Sequence, residues 1–216
     1  MQTKLLDFAR RIGFSLDEKQ AQLLAAYASL VWQKKALINL TSAANLEEII
    51  LRHICDGLQG ACCILNLAKQ QHLDHFSIID AGAGAGYIGL TLAMALPQAQ
   101  VTLVESIEKR CAFMNWAILS LGLKNATVKK MRLGETKNIE ADFVTERAMG
   151  QLPDILGVCL SAVKPGGVFM AYQGEHPQTR QVSAPKDNAL FLREEPYLLP
   201  IDDKKRFLVL FTRVEK

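Results

Sequence analysis

A glycine-rich stretch, FSIIDAGAGAGYIGL (76–90), is the part of the sequence whose residue types point most directly to chemistry. It holds two overlapping patterns. Gly84, Gly86 and Gly89 form the G-x-G-x-x-G pattern of dinucleotide-binding turns. Gly82, Gly84 and Gly86 form G-x-G-x-G, and Asp80 stands two residues before the first of them. Because glycine has no side chain, a ligand can approach this backbone closely, although small residues also allow a strand to pack tightly on a helix.

The residues around the glycines favour S-adenosylmethionine over a nicotinamide dinucleotide as the ligand. Asp80 ends an apolar run, where its carboxylate can meet the ammonium group of an amino-acid moiety directly or through water. Glu105 ends the next β-type run, where a carboxylate accepts hydrogen bonds from ribose hydroxyls of either cofactor. The Lys-Pro-Gly-Gly turn in VKPGGVFMAY (163–172) is typical of class I methyltransferases and rare in dehydrogenases. We therefore predict an S-adenosylmethionine site.

The elements that would position these residues change character near residue 75. Helical patterns fill residues 1–72, including one over 17–37 and one over 46–58 that opens with the capping pair Asn45 and Glu48. Short β-type runs then follow at 76–80, 100–105, 125–131, 141–147 and 166–174, with helical patterns near 89–95, 108–121 and 152–163. This alternation predicts a mainly parallel sheet with helices on both faces.

The same patterns predict how the chain is divided. Two β-rich segments joined by the turn IDDKK (201–205) predict an antiparallel pair at the edge of the sheet. We expect residues 1–75 to form an N-terminal helical extension packed on the core, and residues 76–216 to form the S-adenosylmethionine-binding domain.

The composition argues against a membrane anchor, a metal centre and a disulfide framework. The five cysteines are odd in number and none belongs to a C-x-x-C pair, so we expect reduced thiols and a cytoplasmic location. No apolar run approaches the roughly 20 residues that span a bilayer. The net charge is only +3, so any contact with nucleic acid must come from local patches, and KNATVKKMR (124–132) is the densest of these.

Several further motifs occur in a fixed order along the chain. They are NLTS (39–42), RHICDGL (52–58), VTLVESIEKRCAFM (101–114), MRLGE (131–135), ERAMGQL (146–152), VKPGG (163–167), YQGE (172–175) and KRFLVLFTR (205–213). With the glycine turn, they make the chain from about residue 14 to residue 213 resemble the RsmG-type family of 16S ribosomal RNA guanine-N7 methyltransferases, also called glucose-inhibited division protein B.

The resemblance implies a class I methyltransferase (Rossmann-like) α/β fold with a mainly parallel, seven-stranded sheet. It implies S-adenosylmethionine as the cofactor and 16S ribosomal RNA or the small ribosomal subunit as the partner. A monomer without metal or membrane contacts is expected.

The resemblance also implies the residues of the site. With Asp80 from the argument above, the cofactor-binding set is Asp80, Gly82, Gly84, Gly86, Tyr87, Glu105, Leu133, Gly134 and Arg147. Glu105 would lie near the ribose, Leu133 and Gly134 beside the adenine. The catalytic set is His53, Asp56 and Arg147, with Arg147 at the mouth of the cofactor pocket.

Methylation of guanine N7 fits these residues, because N7 carries a lone pair and needs alignment more than a general base. Asp56 could stabilise the positive charge of the methylated base. Alternatively, His53 and Asp56 only tie the N-terminal helices to the sheet.

The sequence departs from the family pattern in ways that leave the substrate open. This chain has Gly57 where the family usually has serine, Ile88 in place of proline, Glu105 in place of aspartate, Gly134 in place of glutamate and Gln173 in place of lysine. The last change removes a cation that would face the active site. Three alternatives therefore remain: a methyltransferase of another RNA site or of a small molecule, a paralogue that binds S-adenosylmethionine or RNA without turnover, and, more remotely, a nicotinamide oxidoreductase.

Overall fold

The N-terminal third of the chain is helical. The computed structural model describes residues 1–38, 40–135, 139–175, 177 and 189–214. Helix α1 spans Gln2–Arg11 and α2 spans Glu18–Ile38, and α2 confirms the helix predicted over residues 17–37. The motif NLTS begins at Asn39, which lies outside the described residues.

The helical segment after the capping pair differs from the prediction in length and in kind. A turn of α-helix, α3 (Leu46–Glu48), leads into a π-helical segment, Ile49–Ile54, and then into α4 (Cys55–Gln70). The predicted end at residue 58 was wrong, because apolar side chains continue to be buried at helical spacing as far as Leu67 and Ala68. The predicted cap is confirmed: the Glu48 N–H donates to Asn45 Oδ1 at 2.8 Å.

The rest of the chain alternates strands and helices as predicted. The strands are β1 (Phe76–Ala81), β2 (Ala99–Glu105), β3 (Ala126–Lys130), β4 (Ala141–Arg147), β5 (Val163–Gln173), β6 (Ala189–Leu198) and β7 (Lys205–Arg213). The helices between them are α5 (Tyr87–Ala95), α6 (Glu108–Leu121) and α7 (Leu152–Ser161).

The strands form one seven-stranded sheet in the order β3-β2-β1-β4-β5-β7-β6. Strands β1 to β5 pair in parallel, and β7 pairs antiparallel with both β5 and β6, which confirms the mainly parallel sheet and the antiparallel pair at its edge. The strand order reverses between β1 and β4, and ligands of such sheets bind at the carboxyl ends of the strands at that point.

Apolar side chains cover both faces of the sheet. On one face, the buried residues of α1, α2, α4, α5 and α6 share a single cluster with Ile78, Phe143 and Met170. On the other face, α7 packs on Ile79, Val144 and the strands next to them. The side chains of adjacent residues in a strand therefore point to opposite faces of the sheet. The N-terminal helices pack in the same hydrophobic core as one of these faces. The boundary at residue 75 stays a prediction.

Candidate active site

The glycine turn joins β1 to α5 at the carboxyl edge of the sheet. Gly82, Gly84 and Gly86 all have positive φ, between 61° and 84°. Gly86 caps the N-terminus of α5, and the Ala83 N–H donates to the Val104 carbonyl at 2.9 Å, which ties the turn to β2. At Gly84, the nearest atom to an added Cβ would be the Gly82 carbonyl oxygen, 3.9 Å away. The space beside Gly84 is therefore open.

Two buried carboxylates hold this turn in place. Asp80 Oδ2 accepts the Gly89 N–H at 2.7 Å, and Glu105 Oε2 accepts the Gly84 N–H at 2.9 Å. Glu105 Oε1 also accepts the Ile107 N–H at 2.8 Å. Burial raises the pKa of Asp80 to about 7, although the hydrogen bond from Gly89 opposes that rise. Each carboxylate stands at the end of its strand, as the sequence predicts.

Two cavities meet at the turn, and Gly82 lines both. The first, of about 290 Å³, is lined by Leu40, Thr41, Ser42, His53, Asp80, Gly82, Ala83, Gly84, Ala85, Tyr87, Ile88, Arg110, Arg147 and Ala148. The second, of about 330 Å³, is lined by Gly82, Val104, Glu105, Ser106, Met131, Arg132, Leu133 and Met149. They lie on either side of Gly82, along the carboxyl ends of β1, β2 and β4, and we call the two cavities together the trough. Asp80 lines the first cavity and Glu105 lines the second.

An aromatic stack walls the first cavity. The imidazole of His53 stacks on the ring of Tyr87 with centroids 4.2 Å apart, and the guanidinium carbon of Arg147 lies 5.4 Å from the same ring centroid. Burial, and then the positive charge of Arg147, lower the pKa of His53 to about 3. The imidazole is therefore neutral at physiological pH. Its Nδ1 has no hydrogen-bond partner among the described residues.

Asp56 belongs to a buried ion pair behind this wall. Arg147 Nη1 donates to Asp56 Oδ2 at 2.9 Å, and the Tyr197 hydroxyl donates to Asp56 Oδ1. Both carboxylate oxygens are therefore engaged, and Asp56 lines neither cavity. The pair connects α4 to the end of β4, and Tyr197 adds a link to β6.

Most of the predicted site residues line one of the two cavities of the trough, but Gly134 lines neither. Gly86 lies within the turn without lining either cavity, and Leu133 lines the second cavity. A Cβ at Gly134 would meet Val158 Cγ2 of α7 at 2.6 Å, and Gly134 lines a third cavity, which shares Leu133 with the second cavity. Its place beside the adenine therefore stays a prediction, as do the roles of the other site residues.

Sequence reasoning missed two contributors to the site. Met149 lines the second cavity and packs against Gly82; it lies in the quoted motif ERAMGQL, but nothing singled it out. The hydroxyl of Tyr197 donates to Asp56, which lies 141 residues earlier in the sequence, and no local sequence pattern predicts such a distant partner. Within the described ranges, no helix is both long and apolar enough to cross a bilayer, and no cluster of His, Cys, Asp or Glu is arranged to hold a metal ion.

Comparison with known proteins gives a consistent result over nearly the whole chain. Residues 20–207 match the family described as GidB, rRNA small subunit methyltransferase G. A Ribosomal RNA small subunit methyltransferase G of Acetivibrio thermocellus is 31% identical over 97% of this chain and 87% of its own length. A protein of the same name from Alteromonas mediterranea is 35% identical over 82% of this chain and 81% of its own length.

Solved structures share the fold at low sequence identity. The ribosomal protein L11 methylase of Lactobacillus delbrueckii subsp. bulgaricus superposes with a TM-score of 0.57 at 11% identity, covering 80% of this chain and 81% of that one. At this identity the likeness shows the fold alone. The architecture is the class I methyltransferase fold, as the resemblance implied.

Proposed function

Since the chain belongs to the GidB family, rRNA small subunit methyltransferase G, we propose that it transfers a methyl group from S-adenosylmethionine to N7 of a guanine in 16S ribosomal RNA. The observation that carries the proposal is the trough of two adjacent cavities at the strand-order reversal, with one strand-end carboxylate lining each cavity. The ligand binds there in this class of sheet.

The residues of the trough fit S-adenosylmethionine in their chemistry. The first cavity offers the buried Asp80 carboxyl to an ammonium group and an open backbone at Gly84. The second cavity offers the carboxylate of Glu105 to ribose hydroxyls and apolar side chains, among them Leu133 and Met149, to a purine. We therefore assign the amino-acid part of the cofactor to the first cavity and its adenosine to the second.

The proposed reaction asks this chain for alignment rather than for a proton acceptor. When bound, S-adenosylmethionine supplies an electrophilic methyl group, and guanine N7 attacks with a lone pair that carries no proton. The neutral imidazole of His53, stacked on the ring of Tyr87, forms an uncharged wall beside the first cavity. Such a wall limits water and fixes the approach of the two reactants.

Asp56 is proposed to act through Arg147. Because Asp56 lines neither cavity, its carboxylate does not face a bound base, and its negative charge instead fixes the guanidinium of Arg147, which lines the first cavity. Arg147 is then the cation at the mouth of the pocket, placed where RNA phosphate or the cofactor carboxylate can reach it.

Methyl transfer from radiolabelled S-adenosylmethionine to small ribosomal subunits lacking N7-methylguanine tests the proposal, with the labelled nucleoside identified after digestion. We expect label in N7-methylguanine of 16S RNA. Label in another nucleoside or on a small molecule would point to a different substrate. Tight cofactor binding without any transfer would indicate a binding protein.

Two glycine variants separate the site from general effects on folding. Gly84 and Gly122 have similar positive φ, 61° and 65°, and no atom closer than 3.9 Å to an added Cβ. Gly84→Ala and Gly122→Ala should therefore each lose about 1–2 kcal/mol of stability from the left-handed backbone. Only Gly84→Ala places a methyl group at the cavity, so only that variant should bind S-adenosylmethionine more weakly, by about tenfold or 1.4 kcal/mol.

A further inference from the structure

One more buried carboxyl group, that of Glu146, lies near the trough without a role in the proposed reaction. Glu146, the penultimate residue of β4, is completely buried. Its Oε2 accepts the Met149 N–H at 3.2 Å. Its Oε1 has no hydrogen-bond partner among the described residues. Burying such a group is costly, so its presence at the edge of a ligand site needs a physical reason.

The turn that follows Glu146 has a strained backbone. Ala148 has φ +61°, in the left-handed region that a residue with a Cβ rarely adopts. Such a conformation persists only where the surrounding contacts enforce it. Two contacts do so here: Glu146 holds the N–H of Met149, and Asp56 holds the guanidinium of Arg147. The strained residue is thus held from both sides.

This turn, Arg147 to Met149, forms one side of both cavities. Arg147 and Ala148 line the first cavity, and Met149 lines the second. Met149 Cγ lies 3.0 Å from the position that a Cβ on Gly82 would take, and Gly82 is the residue shared by the two cavities. A shift of the Met149 backbone would therefore change the shape of the second cavity beside Gly82, the residue that lines both cavities.

We propose that Glu146 is a positioning residue that holds the turn from Arg147 to Met149 in the shape that the cofactor requires. This inference rests on the proposed function, because it takes S-adenosylmethionine as the ligand of the trough. Glu146 acts through Met149 and does not itself line either cavity.

The charge of Glu146 should adjust the strength of this hold. Three titratable groups face it: Asp80 from β1, Arg147 from its own strand and Cys159 from α7. Burial raises the pKa of Glu146 to about 7, the negative charge of Asp80 adds to the rise, and the hydrogen bond from Met149 opposes it. An ionised carboxylate accepts an N–H more strongly than a protonated one. Cofactor affinity should therefore increase as the pH rises through neutrality.

Two substitutions test separately whether the hydrogen-bond acceptor of Glu146, its negative charge or only its side-chain volume is needed. Glu146→Gln keeps an oxygen that can accept the Met149 N–H but carries no charge. Glu146→Met keeps a similar volume and has no strong acceptor. Binding of S-adenosylhomocysteine is measured by calorimetry at pH 6 and pH 8 for both variants and the wild type, with thermal unfolding of each as the check on folding.

The expected results distinguish a positioning role from a merely structural one. At pH 8, Glu146→Met should bind about tenfold more weakly than the wild type, the loss expected for one hydrogen bond to a charged group, while Glu146→Gln stays within about threefold. Because a protonated glutamate and a glutamine both offer a neutral oxygen to the Met149 N–H, the two proteins should bind about equally at pH 6. The wild type should then gain about threefold more affinity than Glu146→Gln between pH 6 and pH 8, a comparison that keeps Asp80 in both proteins. In turnover, the KM for S-adenosylmethionine should rise in Glu146→Met with kcat unchanged.

Equal affinities for Glu146→Met and the wild type would overturn the inference, as would an identical pH response of the wild type and Glu146→Gln. If Glu146→Met does not fold, the pH comparison with Glu146→Gln decides alone. A wild-type protein that does not bind S-adenosylhomocysteine would instead contradict the proposed function itself.

Discussion

Removing the charge of one partner of the buried pair Asp56 and Arg147 is expected to lower the free energy of unfolding by several kcal/mol. Their side chains are only 8% and 21% exposed, and the Tyr197 hydroxyl bonds the second carboxylate oxygen. Asp56→Asn keeps the shape of the side chain and one oxygen that can accept a hydrogen bond. It leaves the mostly buried guanidinium of Arg147 without its counter-ion. Breaking one partner of such a pair costs about 3–5 kcal/mol. Because asparagine keeps part of the hydrogen bonding, we expect a loss near the lower end, about 3 kcal/mol.

The control for this prediction is a surface pair of the same kind. Asp7 and Arg10 are 61% and 77% exposed and lie one helical turn apart, so Asp7→Asn should change stability by about 0.5 kcal/mol or less. Urea unfolding at pH 7, with equal m-values as the test of comparability, gives both numbers. If Asp56→Asn costs no more than Asp7→Asn, the pair does not hold Arg147 as argued.

Two further predictions concern the N-terminal helices. Burial lowers the pKa of His53 to about 3, so between pH 6.5 and about pH 3 the unfolded chain binds a proton there that the folded protein does not. The free energy of unfolding should therefore fall by about 1.4 kcal/mol per unit of pH decrease over that range through this group. His53→Gln should flatten the acid side of the stability curve relative to His75→Gln, an exposed control, and parallel curves would contradict the prediction. Gly57→Ser should cost about 1–3 kcal/mol, because a Cβ there would lie 2.7 Å from both Cβ and Cγ2 of Thr91. In a double-mutant cycle, Thr91→Gly, which removes both atoms, should cancel most of the cost of Gly57→Ser, and an unchanged cost would contradict the argument.

The features that the sequence predicted are those encoded by local patterns. Periods of two residues and of three to four residues identify the strands and the helices, and the glycines with Asp80 and Glu105 mark the edge of the sheet where the two cavities lie. Parallel strands bring their carboxyl ends to one edge, so the meeting of these residues follows from the fold itself. The capping pair at Asn45 is equally local.

The features that the sequence did not predict depend on contacts distant along the chain. Helix α4 continues past residue 58 because the sheet and the other helices bury its apolar face, and propensity alone does not report that burial. The partner of Asp56 on β6 and the strained backbone at Ala148 are likewise products of packing. Gly57, a departure from the family pattern, has its explanation in α5: the side chain of Thr91 occupies the space a serine would need.

A structure of the protein with S-adenosylhomocysteine bound tests the central claim most directly. The account predicts the adenosine in the second cavity, with the ribose hydroxyls on Glu105 and the adenine beside Leu133 and Met149. It predicts the amino-acid part in the first cavity, with its ammonium group near Asp80. A ligand bound outside the trough, or one whose ribose makes no contact with Glu105, would contradict the account.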